Sequence, residues 1–287
     1  MKKSTHNLAF AVAAAFLAAL LFFPDVANGQ AGTSPAGPVN NSVTSMDGRQ
    51  AQTDMTEKYL RQELGDPKEE ASYQAFHKAD EDGDKKIHLG IAFLAKYASD
   101  RYTAAVYEEL SQTYYDRKDL PSFYIYSEKG LSLFPDDVHL LALSGWVIPR
   151  AFDASAPNAD KNLDKAEVYE KHVLDLMDKM QKPAALTDDQ FAQFKTGELA
   201  VAHSGLGLVY FRREQYDASA KELITATQNE ATPDPTDYFI LGADLENLSK
   251  YKEAADAFNR CAQTAGSMQD QCRKYAGDAT QRAADVK

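Results

Sequence analysis

The chain has 287 residues, 44% of them hydrophobic, and a formal net charge of −12 at pH 7. A surface this acidic repels phosphate backbones and anionic lipid headgroups, which argues against nucleic-acid binding and against peripheral membrane binding. The length and the hydrophobic fraction allow one large domain or two small ones with a buried core.

Residues 1–29 have the pattern of a secretory signal peptide. A short basic start leads into an apolar run from Leu8 to Phe23, and small residues follow at Ala27 and Gly29. The run is shorter than the roughly 20 residues that a membrane-spanning helix needs, and small residues at these two positions suit signal peptidase. We therefore expect cleavage after Gly29 and an exported protein, periplasmic or secreted. The alternative is a tilted, uncleaved anchor that attaches the protein to a membrane.

Residues 30–53 consist mainly of Gly, Ser, Pro, Thr, Asn and Gln. A segment with so few large apolar side chains cannot offset the entropy of its own ordering, so we expect a disordered polar linker. Residues 54–287 are expected to form one helical domain, in which a first helix over residues 54–64 covers one end.

The main signal in this domain is an internal repeat. Tyr73, Tyr107 and Leu141 lie 34 residues apart, and a Leu-Gly pair at 206–207 returns 35 residues later at 241–242. A period of 34 residues is typical of helix-turn-helix solenoids. Small side chains at repeated positions let two helices approach closely, while large ones fill the space between neighbouring pairs.

At these positions the sequence resembles the tetratricopeptide repeat family, whose unit places Leu-Gly and Tyr on its first helix and small residues around an aromatic one on its second. Gly207 and Tyr210 fit the first helix, and Ala254 and Phe258 fit the second. The resemblance extends over about residues 69–266 and is weakest in the first unit. It implies an all-α fold, a right-handed superhelical solenoid of about five helix pairs with capping helices.

Signals for helix starts agree with this register. Thr187 begins a capping-box sequence, Asp234-Pro235 places an N-cap before a first-turn proline, and Ser267 opens a final helix that covers the end of the solenoid.

The third unit departs from the repeat. Its first helix is expected to run over residues 136–148 and to stop at Pro149, and residues 150–162 form an insertion. Its second helix continues towards Met180, and an unusually long helix follows from Thr187. Such irregular segments on a rigid scaffold often carry specificity, and the alternative is that they are neutral elaborations.

The resemblance also implies a concave groove lined by set positions of each first helix. In this sequence those positions are Glu108, Gln112, Tyr115, Trp146, Leu208, Phe211, Phe239 and Glu246. The lysines and asparagines of the family's carboxylate clamp are absent from them, and the aromatic residues favour an apolar or mixed ligand. The alternative for Trp146 and Phe211 is that they pack against neighbouring helices.

Motifs for catalysis and metal binding are absent from the sequence, which has no HExxH, no clustered His and Cys, no G-x-S-x-G and no glycine-rich phosphate loop. The acidic run from Asp80 to Asp84 looks like the start of a calcium loop, but Lys85 stands where the turn glycine should be and Ile91 where the bidentate Glu should be. We expect a solvated turn there, and neither an enzyme nor a bound metal or cofactor.

Two functions fit these expectations. The first is an exported scaffold or adaptor that binds a protein or peptide partner in the groove. The alternative is a structural component of a cell-envelope assembly, joined through the long helix and the insertion. A metal-dependent binding protein or an enzyme is a third, weaker reading.

The chain has two cysteines, Cys261 and Cys272. Export to an oxidising compartment favours their pairing. The first lies on the last repeat helix and the second in the first turns of the final helix, so a turn at residues 265–266 brings their Cα atoms to about 5.5 Å. We therefore predict a disulfide; the alternative is two buried free thiols.

Overall fold

The computed structural model describes residues 66–79, 83–97, 102–184, 186–229 and 233–286. The predicted signal peptide, polar linker and first capping helix lie outside these residues, as does most of the acidic run that begins at Asp80. Every regular element within the described ranges is an α-helix.

Eleven helices make up this part of the chain. They are α1 Pro67–His77, α2 Gly83–Lys96, α3 Thr103–Asp116, α4 Leu120–Leu133, α5 Val138–Arg150, α6 Ala159–Lys179, α7 Asp188–Arg212, α8 Tyr216–Asn229, α9 Pro235–Asn247, α10 Tyr251–Gln263 and α11 Gln269–Asp285.

Each helix packs on the next one along the chain, which gives five helix pairs followed by a single helix, α11, that packs on α10. The first helices of successive pairs also contact one another, α3 with α5, α5 with α7 and α7 with α9. The predicted all-α solenoid of five pairs with a capping helix is thereby confirmed. The first helices line up along one face, and the buried apolar side chains lie between the layers.

The turn within a pair has the same conformation in three units. Lys118, Glu214 and Ser249 each follow a first helix with positive φ, at 61°, 58° and 59°. In each case the next residue donates its backbone N–H to a carbonyl in the last turn of the preceding helix. This left-handed helix end satisfies carbonyls that the helix leaves unpaired. The repeat is therefore visible in the backbone as well as in the sequence.

Two glycines of the repeat lie where the sequence predicts close helix contacts. A Cβ atom added at Gly207 would lie 2.6 Å from Leu223 on α8, and one added at Gly242 would lie 2.6 Å from Phe258 on α10. Real Cβ atoms do not approach other heavy atoms so closely. Each pair therefore needs glycine at this position for its two helices to pack at this distance.

The third unit differs from the sequence prediction in one detail. Helix α5 does not stop before Pro149 but includes it and ends at Arg150. A proline near the end of a helix removes only one backbone hydrogen bond, so the helix can continue for one more residue. The insertion then occupies residues 151–158, and Ala166 on α6 is fully buried as the small residue of the repeat.

The helix starts mostly follow their sequence signals. Thr187 forms a complete capping box with Gln190, and the Asp234 side chain accepts the N–H of Thr236. Ser267 does not cap the last helix: the N-cap of α11 is Met268, which makes no side-chain cap hydrogen bond. Among the described helices, none has the length and the apolar composition that crossing a bilayer requires.

Candidate binding groove

A cavity of about 620 Å³ opens among the first helices of four successive pairs. Its wall combines aromatic and aliphatic side chains with a few charged groups. The lining residues are Tyr115, Asp116, Lys118, Leu120, Trp146, Arg150, Ala151, Leu208, Phe211, Arg212, Asp234, Thr236 and Ile240. A space of this size lies within the range of about 300–1,000 Å³ that ligand pockets usually have.

The aromatic part of the wall is a contact between two helices. The rings of Tyr115 on α3 and Trp146 on α5 meet edge to face, with 5.6 Å between their centroids. Both side chains are half-buried, so each keeps an accessible part on the cavity. An arrangement of this kind offers large apolar surface at low conformational cost, as binding hot spots do.

Arg150 connects the aromatic wall to the later repeats. Its guanidinium lies 3.6 Å from the centroid of the Trp146 ring, and its Nη2 reaches Asp237 Oδ1 at 3.1 Å, Asp234 Oδ2 at 3.3 Å and Ser204 Oγ at 3.0 Å. These contacts join α5 to α7 and α9, and they match the arginine's charge with two carboxylates. Because Asp237 is 1% exposed, the ion pair is shielded from solvent.

Arg212 borders the same cavity from α7. Its Nε donates to the carbonyl oxygen of Pro149 at 3.0 Å, and its guanidinium lies over the ring of Phe152, 5.5 Å from the centroid. Burial, with a smaller contribution from the nearby Arg150 cation, lowers the pKa of Arg212 to about 10. The group stays charged at neutral pH, although it is partly desolvated.

The structure brings together half of the residues that the sequence assigns to the groove. The four residues that line the cavity are Tyr115, Trp146, Leu208 and Phe211. Leu208 and Phe211 are largely buried, at 3% and 7% exposure, so they form the floor and support the aromatic wall.

The other four predicted groove residues do not line this cavity. Phe239 is fully buried against the rings of Phe258 and Tyr275, and Glu246 is paired with Arg282 of α11 at 3.3 Å. The fifth unit is therefore covered by its own second helix and the capping helix.

Glu108 and Gln112 lie on α3 but do not line the cavity. Gln112 donates from Nε2 to Asp116 Oδ1 at 2.7 Å. Glu108 is buried, and burial together with the neighbouring Asp137 carboxyl raises its pKa well above the ordinary value. Such a carboxyl is held in its protonated form and shares a hydrogen bond with its neighbour.

Sequence reasoning did not identify Arg150 and Arg212, the two arginines that line the cavity. Neither occupies a repeat position that the family resemblance assigns to the groove. Arg150 lies at the edge of the insertion, so the departure of the third unit from the repeat was the one signal that pointed to it.

No family model matches the chain, and no curated protein matches it. Among solved structures, the chain is similar to a tetratricopeptide repeat protein from Parabacteroides merdae, with 13% sequence identity and a TM-score of 0.30. The similarity covers 74% of this chain and 96% of that chain.

Proposed function

We propose that this protein is an exported, non-enzymatic interaction scaffold that holds a segment of a partner protein in the cavity between α3, α5, α7 and α9. The observation that carries the proposal is the meeting of four predicted groove residues, from three helices, around one space of about 620 Å³. Repeat scaffolds use extended concave surfaces of this kind to bind other proteins.

The wall of the cavity supports binding of a partner's apolar side chain. Tyr115 and Trp146 keep accessible faces there, while Leu208 and Phe211 are held in place by burial. A partner side chain in this space would displace water from aromatic and aliphatic surface, which is the main source of affinity in protein interfaces.

Export is part of the proposal and rests on two features. Residues 1–29 have the signal-peptide pattern, and the Cα atoms of Cys261 and Cys272 lie 5.8 Å apart, at disulfide distance. Paired cysteines are usual in exported proteins and rare in the cytosol.

Site-specific photo-cross-linking tests the proposed function. Benzoylphenylalanine is placed at Tyr115, on the cavity wall, and in a separate variant at Val168, which is 64% exposed and does not line the cavity. We expect ultraviolet irradiation of producing cells to give a cross-linked partner from position 115 and none from position 168. A second substitution, Trp146→Ala, should reduce the yield from position 115.

Equal cross-linking from both positions, or none from position 115, would contradict the proposal. Circular dichroism melting of each variant serves as the folding control, because an unfolded chain would also lose its partner.

A further inference from the structure

The charged groups on the cavity wall differ in whether an opposite charge lies beside them. Arg150 pairs with the carboxylates of Asp234 and Asp237, while Lys118 and Asp116 are exposed at the rim, where solvent screens their charges. Among the residues that line the cavity, Lys118 and Arg150 are balanced by Asp116 and Asp234, and Asp237 adds a buried negative charge beside Arg150.

Arg212 is different from these groups. Within the described part of the chain its guanidinium forms no ion pair, and its one hydrogen bond runs from Nε to a backbone carbonyl. A partly buried cation without a carboxylate is unfavourable, because desolvation weakens the charged form and no opposite charge offsets the loss. The guanidinium therefore has no carboxylate of its own in this part of the chain, and its terminal Nη groups remain available for a planar, two-point contact with a carboxylate.

We propose that the partner segment presents an Asp or Glu side chain to Arg212 and, next to it in sequence, an apolar side chain to the wall formed by Trp146, Tyr115 and Phe211. This inference rests on the proposed function and specifies the chemistry of the partner. Charge complementarity selects the acid, and the aromatic wall selects its neighbour. One acidic side chain is sufficient, since Arg150 already has its carboxylates.

The partner's acid would be attracted to Arg212 at short range only, because the protein as a whole is negatively charged. At −12, the chain as a whole repels acidic partners at long range, so the arginine does not speed the encounter but selects among segments that have reached the groove. We expect binding to strengthen, within limits, as salt screens the overall repulsion, because the partly buried contact is screened less.

A random peptide library provides the test. Phage-displayed peptides are selected on the protein produced from its full sequence, and in parallel on its Arg212→Gln variant. The matched control is Arg213→Gln, because Arg213 is adjacent but pairs with Asp164 and Glu167, outside the cavity lining. We expect the native protein and the Arg213 variant to select peptides with Asp or Glu close to a large apolar residue. Selection on Arg212→Gln should lose the acidic preference.

A comparison of two forms of one peptide on the native protein keeps the test independent of how well the Arg212→Gln variant folds. One selected peptide is synthesised in two forms, with its acid and with the corresponding amide, and each is titrated against the native protein and against the Arg212→Gln variant, with the fluorescence of Trp146 as the signal. Replacing the acid should weaken binding to the native protein about tenfold, as loss of a partly buried charge pair does, and should leave binding to the Arg212→Gln variant unchanged.

The outcomes separate the two proposals. Peptides that change Trp146 fluorescence but show neither an acidic preference nor coupling to Arg212 would overturn this inference and leave the scaffold function standing. A library that yields no peptide acting on Trp146 would overturn both.

Discussion

The side chain of Glu170 on α6 lies against the backbone of Gly205 on α7, where an added Cβ atom would be 2.0 Å from the Oε1 of Glu170. On the other side is Gly145 of α5, where an added Cβ would lie 2.5 Å from the Glu170 Cδ. The carboxyl is fully buried, and neither oxygen has a hydrogen-bond partner among the described residues. Two glycines thus make room for a buried acid at the junction of three helices.

This burial makes the stability of the protein depend on pH. Burial, together with the nearby Glu198 carboxylate, raises the pKa of Glu170 well above its ordinary value, and the Arg150 cation only partly opposes this. The folded state therefore keeps a proton that the unfolded chain releases near pH 4 to 5. Consequently the free energy of unfolding falls as pH rises from the unfolded pKa through the folded one.

We predict that Glu170→Gln stabilises the protein at pH 8 by about 1–3 kcal/mol and changes little at pH 4.5, because the amide is neutral at both. Urea denaturation at the two pH values measures the difference.

Glu167→Gln, on the same helix, is a control for which the opposite pH dependence is expected. Despite partial burial, hydrogen bonds from Lys171 and Arg213 lower the pKa of Glu167, so its contribution is present at neutral pH and is lost on acidification. Equal stability of native and Glu170→Gln proteins at pH 8 would mean that the acid is not desolvated.

The close helix contacts of the repeat give a second prediction. Gly207→Leu and Gly242→Leu should each destabilise the fold by about 1–3 kcal/mol, because the added side chain must displace Leu223 or Phe258. The matched control is Gly277→Leu: Gly277 also lies in a helix, but a Cβ there would meet nothing within 4 Å. Thermal melting followed by circular dichroism compares the three. A Gly277 variant that melts as early as the other two would show that the loss comes from replacing glycine, not from overpacking.

Trp146 gives a third prediction, since it is the only tryptophan in the chain. Its half-buried position on the cavity wall should let iodide quench its fluorescence in the folded protein, less than in urea-unfolded protein. Addition of a bound peptide should reduce the quenching. Fluorescence that iodide does not affect in the folded state would place Trp146 in the core and remove the aromatic wall from the cavity.

The sequence is sufficient to predict the helix pairs, because the contacts that define them repeat along the chain. Gly207 meets a side chain of the very next helix, so one period of the pattern contains both partners. The cavity is less predictable. Arg150 and Asp237 lie 87 positions apart, and their contact depends on how the insertion and three successive pairs stack.

Family positions alone also assign too many residues to the groove. Phe239 occupies such a position, yet the ring of Tyr275 on the capping helix lies 5.4 Å from its own and helps to bury it. The final helix follows the last repeat, so the repeat pattern holds no information about what it covers. The spacing of Ala166 and Val173 places Glu170 on the apolar stripe of α6, but the local sequence does not show that its carboxyl lacks a hydrogen-bond partner within the described ranges.

The last prediction concerns the capping helix α11, on which Cys272 lies opposite Cys261 of α10. Both cysteines are fully buried, and their Cα atoms are 5.8 Å apart, close to the separation predicted from the turn between the two helices. If the bond forms on export, closing so short a loop should stabilise the fold by about 2–3 kcal/mol, chiefly by restricting the unfolded chain.

A thiol count on the denatured, unreduced protein checks this directly. We expect no reactive thiol before reduction and two afterwards, with a lower melting temperature for the reduced protein. A double variant, Cys261→Ala with Cys272→Ala, should melt with the reduced protein and should not respond to reductant, which separates loss of the bond from side reactions of the reductant. Two reactive thiols per chain without reductant would instead identify both residues as buried free cysteines, and the capping helix would then be held on α10 by packing alone.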